Sequence, residues 1–414
     1  AADLQNTKQY ALDNPRIETL WEYLKRLHHY RTGIVTTADV TDATPAGEGG
    51  HTITRNLLKD IAAQYVDGPF VPGPTFDVIL GGGLEQFTQR TVANTGDTRN
   101  LATELQGLGY TYVQNRAQLN GIAAGTTKLL GLFRTSHMNV AYDKLGLVRP
   151  PDEPAPVFGG FTDQPFLDEM TEKAIDVLSA GDSPFILMVE GASIDKQSHP
   201  NHAAGVIWDT IEFDKAIGVG RAFAAPKKNE KSRTLVMVSA DHDQSMSIVG
   251  VTDTLFAPPA PLPAPPAPVP FPVQNTRSPL TYPVVNPPAS PFVGVGSNPG
   301  EVSGFPDYAD ADADGYPENT NRYRLAVGFR SGNHTGSSVP LTAEGPGALL
   351  FTGYYDQTDI FFKTARVLSI DTDELDRCLR EVQRQQPSCE SPKKGPRKLR
   401  DWLIRKHVDP DCHD

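Results

Sequence analysis

Two segments of the sequence combine carboxylates and imidazoles in patterns that can bind a divalent cation. In PFILMVEGASIDKQSH, Glu190 ends an apolar run, and Asp195 and His199 follow at a spacing that puts both on one face of a helix. A carboxylate and an imidazole suit zinc, whereas Glu190 offers a hard oxygen for magnesium. In TLVMVSADH, the apolar run ends in Asp241 and His242. Taken alone, each pattern is more typical of a solvated helix face or a strand-to-loop turn.

A third segment, TGIVTTADVTDATPAGEGGHTITR, carries groups that can hold a phosphate. Asp42 and Thr44 follow its apolar run, and Arg55 comes later. The ordinary interpretation is that Thr44 caps a helix whose first residue is Pro45. The functional interpretation makes Thr44 a hydroxyl ligand and Arg55 a bidentate clamp for two phosphate oxygens. A fourth segment, SGNHTGSS, contributes His334, which in isolation is typical of a solvated loop histidine.

A further acidic segment, PDYADADADGYPENTN, has the spacing of a calcium-binding loop. Asp310, Asp312 and Asp314 precede a glycine in a D-x-D-x-D-G pattern. The glutamate usual at the twelfth position is replaced by Asn321. The alternatives are a calcium site that braces the loop leading to His334 and a solvated acidic turn.

The elements that must position these residues can be predicted from hydrophobic periodicity. Short apolar runs bounded by Gly or Asp predict buried strands at 32–37, 76–83, 184–191, 234–242 and 347–353. Apolar residues at helical spacing predict helices over 17–27, 206–217 and 360–367. Strands that alternate with helices predict an α/β fold in which a large, mostly parallel central sheet lies between two helical layers. Functional side chains are then expected at the carboxyl ends of the strands.

Composition narrows the class of protein. The 414 residues include 38 Lys and Arg against 50 Asp and Glu, a net charge of −12. This excess argues against nucleic acid or an anionic membrane as the main partner. No run approaches the roughly 18 apolar residues of a membrane span. The three cysteines, Cys378, Cys389 and Cys412, exclude a disulfide-dense scaffold and a thiolate zinc site, and their pairing stays open.

Four regions are expected along the chain. Residues 1–256 form an N-terminally truncated catalytic α/β domain, and 301–370 form its remainder with the candidate calcium loop. Between them, residues 257–300 contain 15 prolines and almost no charge, which predicts an insertion in extended conformation, either a poorly ordered loop or a partner-binding arm. The locally basic residues 371–414 are expected to form a C-terminal appendage.

Four of these segments occur in an order that resembles the alkaline phosphatase family: TTADVTDATPA with Arg55 beyond it, VEGASIDKQSH, VSADH, and NHTGS followed by GPGALLFTG. The match is to the bacterial type with an aspartate and a lysine near the phosphate, here Asp42 and Lys196. The resemblance implies the alkaline phosphatase-like three-layer fold. It also implies metal-dependent hydrolysis of phosphate monoesters through a phosphoserine intermediate.

The resemblance also assigns roles to individual residues. It implies a first zinc on Asp195, His199 and His334, a second zinc on Asp241 and His242, and magnesium on Thr44 and Glu190. Arg55 corresponds to the phosphate clamp, and Lys196 with Asp42 to a water-mediated contact with the phosphate and the magnesium shell. The expected ligands are small phosphate monoesters and inorganic phosphate.

One part of the family pattern is not matched. The family carries a bridging aspartate and a serine nucleophile in a D-S-A motif ahead of the TTA strand, and no Asp-Ser pair precedes Thr32 here. We therefore expect a fragment: a proteolytic product, or a polypeptide whose N-terminal portion is either a separate chain or lies outside the given sequence. The alternatives are a non-catalytic metal- and phosphate-binding fragment and a phosphodiesterase of the same superfamily. A homodimer and a periplasmic or secreted location are further expectations from the family.

Overall fold

The computed structural model describes residues 17–88, 96–146, 156–200, 203–225, 233–253 and 323–370. The proline-rich segment 257–300, the appendage 371–414 and the candidate calcium ligands Asp310, Asp312 and Asp314 lie outside the described residues. The described residues form two compact units, one from the described parts of 17–220 and 241–339, the other from those of 221–240 and 340–370. The four expected regions therefore stay a prediction.

The centre of the first unit is a five-stranded parallel sheet. Its strands are β1 (Arg31–Asp39), β2 (Val78–Gly82), β3 (Thr111–Val113), β4 (Leu129–Leu132) and β5 (Phe185–Glu190), in the order β3-β4-β2-β1-β5. The predicted strands at 32–37, 76–83 and 184–191 are confirmed as β1, β2 and β5. The central β1 pairs with β5 so that Thr36 lies opposite Glu190. This register brings the carboxyl ends of both strands to the same edge.

Helices surround this sheet as expected for crossover connections between parallel strands. They are α1 (Leu20–His28), α2 (Ala43–Gly47), α3 (Leu58–Asp67), α4 (Leu84–Thr88), α5 (Leu101–Gly107), α6 (Arg116–Asn120), α7 (Ala141–Lys144), α8 (Leu167–Leu178), α9 (Ser193–Ser198) and α10 (Ala203–Ala224). The helices predicted over 17–27 and 206–217 are confirmed as α1 and α10. Among the described ranges, no helix combines the length and apolarity that a membrane crossing requires.

Each face of the sheet has its own apolar core. On one face, Ile34, Ile79 and Leu130 pack with buried residues of α3 and α5. On the other face, Val35 and Leu80 pack with buried residues of α8 and α10. Fully burying an aliphatic side chain stabilises the fold by about 1.5–3 kcal/mol, so the strands must be apolar on both faces. The predicted arrangement of a mostly parallel sheet between two helical layers is confirmed.

Helix α1 begins at a reciprocal cap. The hydroxyl of Thr19 accepts a hydrogen bond from the backbone N–H of Glu22, and the Glu22 carboxylate accepts one from the backbone N–H of Thr19. This pair of bonds satisfies donors that a helix start leaves without partners. The helix ends at His28, and the next residue, His29, caps it with a φ of 55° in the left-handed region.

A long antiparallel pair of strands completes the described part of the first unit. Strand β7 (Asp243–Asp253) pairs with β8 (Tyr323–Thr335), with Asp243 opposite Thr335 and Gln244 opposite His334. Local periodicity did not predict this pairing. It places the start of β7, directly after His242, beside the end of β8.

The structure of the second unit corrects two strand predictions, one in its pairing and one in its existence. The run at 234–242 does contain a strand, β6 (Val236–Ser239), but it pairs antiparallel with β9 (Leu341–Glu344) in a two-stranded sheet. The strand predicted at 347–353 is wrong, because Ala348–Phe351 form a turn of 3-10 helix. The segment enters this turn through Gly347 at φ 78°, and Leu349 is 85% exposed, unlike a residue of a buried strand. The helix predicted over 360–367 is confirmed as α11 (Asp359–Val367).

Candidate active site

The carboxyl edge of β1 and β5 gathers the predicted phosphate and magnesium residues. Beyond β1, Asp42 caps α2, and its carboxylate accepts a hydrogen bond from the backbone N–H of Ala43. Beyond β5, α9 follows within three residues of Glu190 and is attached to β1 by a hydrogen bond from the backbone N–H of Ser193 to Thr37 Oγ1 (3.1 Å). Adjacent parallel strands thus deliver both segments to one place.

We call Asp42, Thr44, Arg55, Glu190 and Lys196 the Asp42 cluster. Arg55 Nη2 donates to Asp42 Oδ1 at 2.5 Å, and Lys196 Nζ donates to Asp42 Oδ2 at 2.9 Å. Partial burial would raise the pKa of Asp42, but the bonds and charges of Lys196 and Arg55 outweigh it and hold that pKa well below its usual range. The carboxylate therefore stays ionised and keeps two cations close together.

The second carboxylate of the Asp42 cluster has a different environment. Glu190 accepts hydrogen bonds from Thr36 Oγ1 (2.6 Å) and from the side chain of Thr44. Burial nevertheless raises the pKa of Glu190 above its usual value. A largely buried carboxylate beside a hydroxyl is an all-oxygen donor set, which suits a hard cation such as magnesium.

The predicted zinc residues converge on a single carboxylate oxygen. We call Asp195, His199, His242 and His334 the Asp195 cluster. Asp195 Oδ1 lies 3.3 Å from His199 Nε2, 3.5 Å from His242 Nε2 and 3.6 Å from His334 Nε2. His199 Nε2 and His334 Nε2 are 3.4 Å apart, and the His242 and His334 rings stack at 3.4 Å between centroids.

The separations among Asp195 Oδ1, His199 Nε2 and His334 Nε2 fit three corners of a tetrahedral zinc site. Donor atoms bound at about 2.0–2.1 Å in tetrahedral geometry stand about 3.3–3.4 Å from one another. Asp195, His242 and His334 each offer one ligand atom, and these atoms lie within 4.8 Å of one another. On the far side of His199, Nδ1 lies 2.7 Å from the carbonyl oxygen of Gly332, which orients Nε2 toward Asp195. The donor set and its orientation therefore fit zinc.

The remaining predicted zinc ligand, Asp241, is at the margin of this group. Its Oδ2 lies 3.3 Å from His242 Nε2, while most of its side chain is exposed. His242 thus lies between Asp195 and Asp241, and its Nδ1 is buried with no partner among the described residues. The division of the ligands into two zinc sites stays a prediction.

Helix α9 connects the two clusters. Asp195 faces the imidazoles, and the next residue, Lys196, reaches Asp42. The hydroxyl of Ser198 bonds the Ile194 carbonyl within the same helix (2.8 Å). One short helix at the end of β5 therefore presents a carboxylate next to imidazoles and, beside it, an ammonium paired with Asp42.

Two residues near the clusters were missed by the sequence reasoning. His137 follows β4, a strand that was not predicted, and its Nδ1 accepts the backbone N–H of Asp39 at 3.0 Å and lies 3.9 Å from Asp42 Oδ2. Burial, helped by the charge of Lys196, lowers the pKa of His137. Gln244 donates to Asp195 Oδ1 at 3.3 Å. Its proximity to His242 in the sequence was the one signal that could have identified it.

Comparison with known proteins identifies the family of the chain. The family profile described as alkaline phosphatase matches residues 19–370. Alkaline phosphatase of Escherichia coli (strain K12) is 29% identical over 364 residues, covering 82% of this chain and 65% of that protein. Alkaline phosphatase 3 of Bacillus subtilis (strain 168) is 28% identical over 333 residues, covering 80% and 66%. The chain thus spans about two thirds of the length of these curated relatives.

Solved structures give the same result for the fold. Alkaline phosphatase from the Antarctic bacterium TAB5 is 25% identical with a TM-score of 0.53, covering 83% of this chain and 74% of that one. Thermus thermophilus alkaline phosphatase is 23% identical with a TM-score of 0.55, covering 83% and 72%. With the profile match over residues 19–370, the conclusion is that the chain belongs to the alkaline phosphatase family.

Proposed function

We propose that this chain supplies the metal- and phosphate-binding part of an enzyme that hydrolyses phosphate monoesters. The observation that carries the proposal is the spacing of Asp195 Oδ1, His199 Nε2 and His334 Nε2, which stand 3.3–3.6 Å apart like three corners of a tetrahedral zinc site. Next to it on α9, Lys196 and Asp42 hold Arg55 in an anion-binding arrangement. Family membership supports the same reaction.

We assign the metals as the family resemblance implies. Asp195, His199 and His334 would hold one zinc, and Asp241 and His242 the second. Thr44 and Glu190 would hold magnesium; two solved TAB5 alkaline phosphatase variants are described with Mg bound in the M3 site. Zinc supplies Lewis-acid stabilisation of phosphoryl and leaving-group oxygens when bound. A calcium ion on Asp310, Asp312 and Asp314 rests on sequence spacing alone.

The residues of the Asp42 cluster bind and orient the substrate. Arg55 is largely exposed and uses Nη2 on Asp42, so its guanidinium can turn other N–H groups toward two phosphate oxygens. Lys196 adds a second positive charge through its pairing with Asp42. An incoming phosphate dianion then meets donors that are already held together, so little reorganisation is needed on binding.

We assign the nucleophile to a serine outside the given sequence, which forms a phosphoserine intermediate. That segment, with the bridging aspartate, is proposed to associate with this chain. A homodimer and a periplasmic or secreted location are proposed on family grounds. These assignments extend beyond the contacts of the described residues and rest on the family resemblance.

Turnover of an aryl phosphate monoester by the purified chain, loaded with zinc and magnesium, tests the proposal. We expect turnover that a chelator abolishes and zinc restores, together with a smaller co-purifying polypeptide in intact-mass analysis. An aryl phosphodiester is the parallel substrate. Preference for the diester would favour a phosphodiesterase, and zinc binding without turnover of either would favour a non-catalytic fragment. Absence of zinc binding would refute the proposal.

A further inference from the structure

We propose that the buried His51–Glu22 pair is a positioning device for Arg55. It fixes the segment from which Arg55 reaches Asp42 and thereby sets the geometry of phosphate binding. The inference rests on the proposed phosphate-clamp role of Arg55, and it assigns a role to two residues outside both clusters.

The pair itself is enclosed by protein. His51 Nε2 lies 3.0 Å from Glu22 Oε1 and 2.9 Å from Glu22 Oε2, with side-chain exposures of 6% for His51 and 0% for Glu22. Glu22 Oε2 also accepts the backbone N–H of Thr19 in the cap of α1. The ring of Phe70 lies 4.9 Å from the His51 ring between centroids. The imidazole is therefore held in one orientation by a carboxylate that is itself fixed to the start of a helix.

The backbone around His51 is held by a second set of bonds. The backbone N–H of His51 donates to Gln64 Oε1 at 2.6 Å, and Gln64 Nε2 donates to the His51 carbonyl at 3.3 Å. Three residues earlier, the Glu48 carbonyl accepts the Thr19 hydroxyl at 2.7 Å. Hydrogen bonds from the cap of α1 and from Gln64 of α3 thus fix the chain immediately before the turn that carries Arg55.

Beyond His51 the turn is organised locally. The Thr54 carbonyl accepts from Thr52 Oγ1 (3.0 Å) and from the backbone N–H of Leu57 (3.3 Å). Arg55 and Asn56 are exposed. A compact turn moves with its anchors, so the distance from Arg55 to Asp42 depends on where His51 and α3 hold its two ends. A misplacement near 1 Å at a binding group can cost on the order of 100-fold in function.

A purely stabilising pair is the competing explanation. Buried ion pairs are weak evidence for stability, because desolvation offsets much of their attraction. The two explanations differ in what else changes when the pair is broken. A stabilising pair affects the unfolding temperature alone, whereas a positioning pair affects phosphate affinity through Arg55.

The test measures inorganic phosphate binding to the full chain loaded with zinc and magnesium. We expect His51→Leu to weaken phosphate binding about 10-fold with unchanged zinc content. His51→Gln, whose amide can still donate to Glu22, should restore most of the affinity. In the Arg55→Ala background, His51→Leu should have no further effect, as expected when one residue acts through the other.

Lys25→Met is the matched control. Lys25 lies on the same helix as Glu22 and pairs with Asp77 at 2.9 Å, so its loss loosens α1 without touching the segment around His51. We expect a lower unfolding temperature and unchanged phosphate affinity. If His51→Leu does not fold, Gln64→Ala removes the bonds to the His51 backbone without leaving a buried charge, and it should weaken phosphate binding in the same direction.

Two results would overturn the inference alone: unchanged phosphate affinity in the folded His51 or Gln64 variant while Arg55→Ala weakens binding, or additive losses in the double variant. Unchanged affinity in Arg55→Ala would overturn the clamp and this inference together. The two failures are therefore distinguishable by the Arg55→Ala single variant.

Discussion

The Asp42 cluster and the Asp195 cluster meet on α9, yet their charges are arranged in opposite ways. In the Asp42 cluster, one carboxylate is shared by Arg55 and Lys196, so each charge already has a partner of opposite sign. In the Asp195 cluster, one carboxylate oxygen faces three imidazole nitrogens that are all suited to donate electron pairs to a cation. The first arrangement suits an anion, which could enter by exchange of partners, and the second suits a cation.

The two clusters also depend on different parts of the fold. The Asp42 cluster follows β1 and β5, which lie between two apolar cores. The Asp195 cluster takes His242 and His334 from the ends of the β7–β8 hairpin, and the side chains of His199 and His334 are about half exposed. We therefore expect the metal to order the Asp195 cluster, and the sheet alone to order the Asp42 cluster.

The largest expected effect comes from removing the shared carboxylate with Asp195→Ala. Because Asp195 Oδ1 is the common neighbour of all three imidazoles, zinc at this site should be lost and phosphatase activity should fall at least ~100-fold. Metal analysis and aryl phosphate turnover measure both quantities. The control is Asp214→Ala, an exposed carboxylate on α10, which should retain both. Unchanged zinc content in Asp195→Ala would remove the assignment.

Arg55→Ala should affect the other cluster and leave the metals in place. Hydrogen bonds to charged groups contribute about 1.5–3 kcal/mol, so phosphate inhibition should weaken roughly 10- to 100-fold. Zinc content should not change, since a guanidinium cannot ligate a metal. Arg26→Ala, which breaks an exposed pair with Glu18, is the matched control. Equal phosphate inhibition in wild type and Arg55→Ala would contradict the clamp role.

Removing the metals from the folded protein should separate the clusters by their stability. A ligand at 100 times its dissociation constant stabilises the folded state by about 2.7 kcal/mol, which corresponds to a shift of a few degrees in the unfolding temperature. Hydrogen exchange should rise in the β7–β8 hairpin on chelation and stay low in β1 and β5. A uniform increase over both regions would contradict the different dependence of the two clusters.

Glu48 provides the smallest and most local test, because it is a carboxylate of the α2 segment whose environment contrasts with that of Asp42. Burial raises the pKa of Glu48 to about 8, whereas the hydrogen bonds and charges of Lys196 and Arg55 lower the pKa of Asp42. The folded state therefore holds a proton that the unfolded state releases above its ordinary pKa of 4.5, and stability falls as pH rises from there to about 8. Glu48→Gln should raise the unfolding temperature at pH near 9 and leave it nearly unchanged near pH 4. The same increase at both pH values would exclude this cause.

The sequence predicts the parts of the molecule that local pattern determines. The apolar runs that became β1, β2 and β5 needed only burial on both faces. The convergence of Asp42, Glu190 and Lys196 then followed from the common carboxyl edge of parallel strands. The likeness of VSADH and NHTGS to family motifs identified His242 and His334 without showing how they meet.

What the sequence could not predict depends on contacts between distant residues. The pairing of Gln244 with His334 joins segments with a long intervening stretch, and no local period encodes such a register. The run at 347–353 has strand-like composition, but Gly347 adopts φ 78° and a 3-10 turn follows. His137 was missed because β4, the strand before it, is a short run that contains a glycine.

The β7–β8 ladder has a consequence for how this chain can vary. Its register is set by backbone bonds near Asp243 and Thr335, with a further bond from Thr335 Oγ1 to Asp243 Oδ2 at 2.6 Å. As long as the backbone bonds near Asp243 and Thr335 form, the polypeptide between the two strands can lengthen or shorten at little cost in closure entropy. The position of His242 relative to His334 then stays the same. A slip of one residue would instead turn His334 to the opposite face. We therefore expect the length of the connection to tolerate change and the pairing of Asp243 with Thr335 to tolerate little.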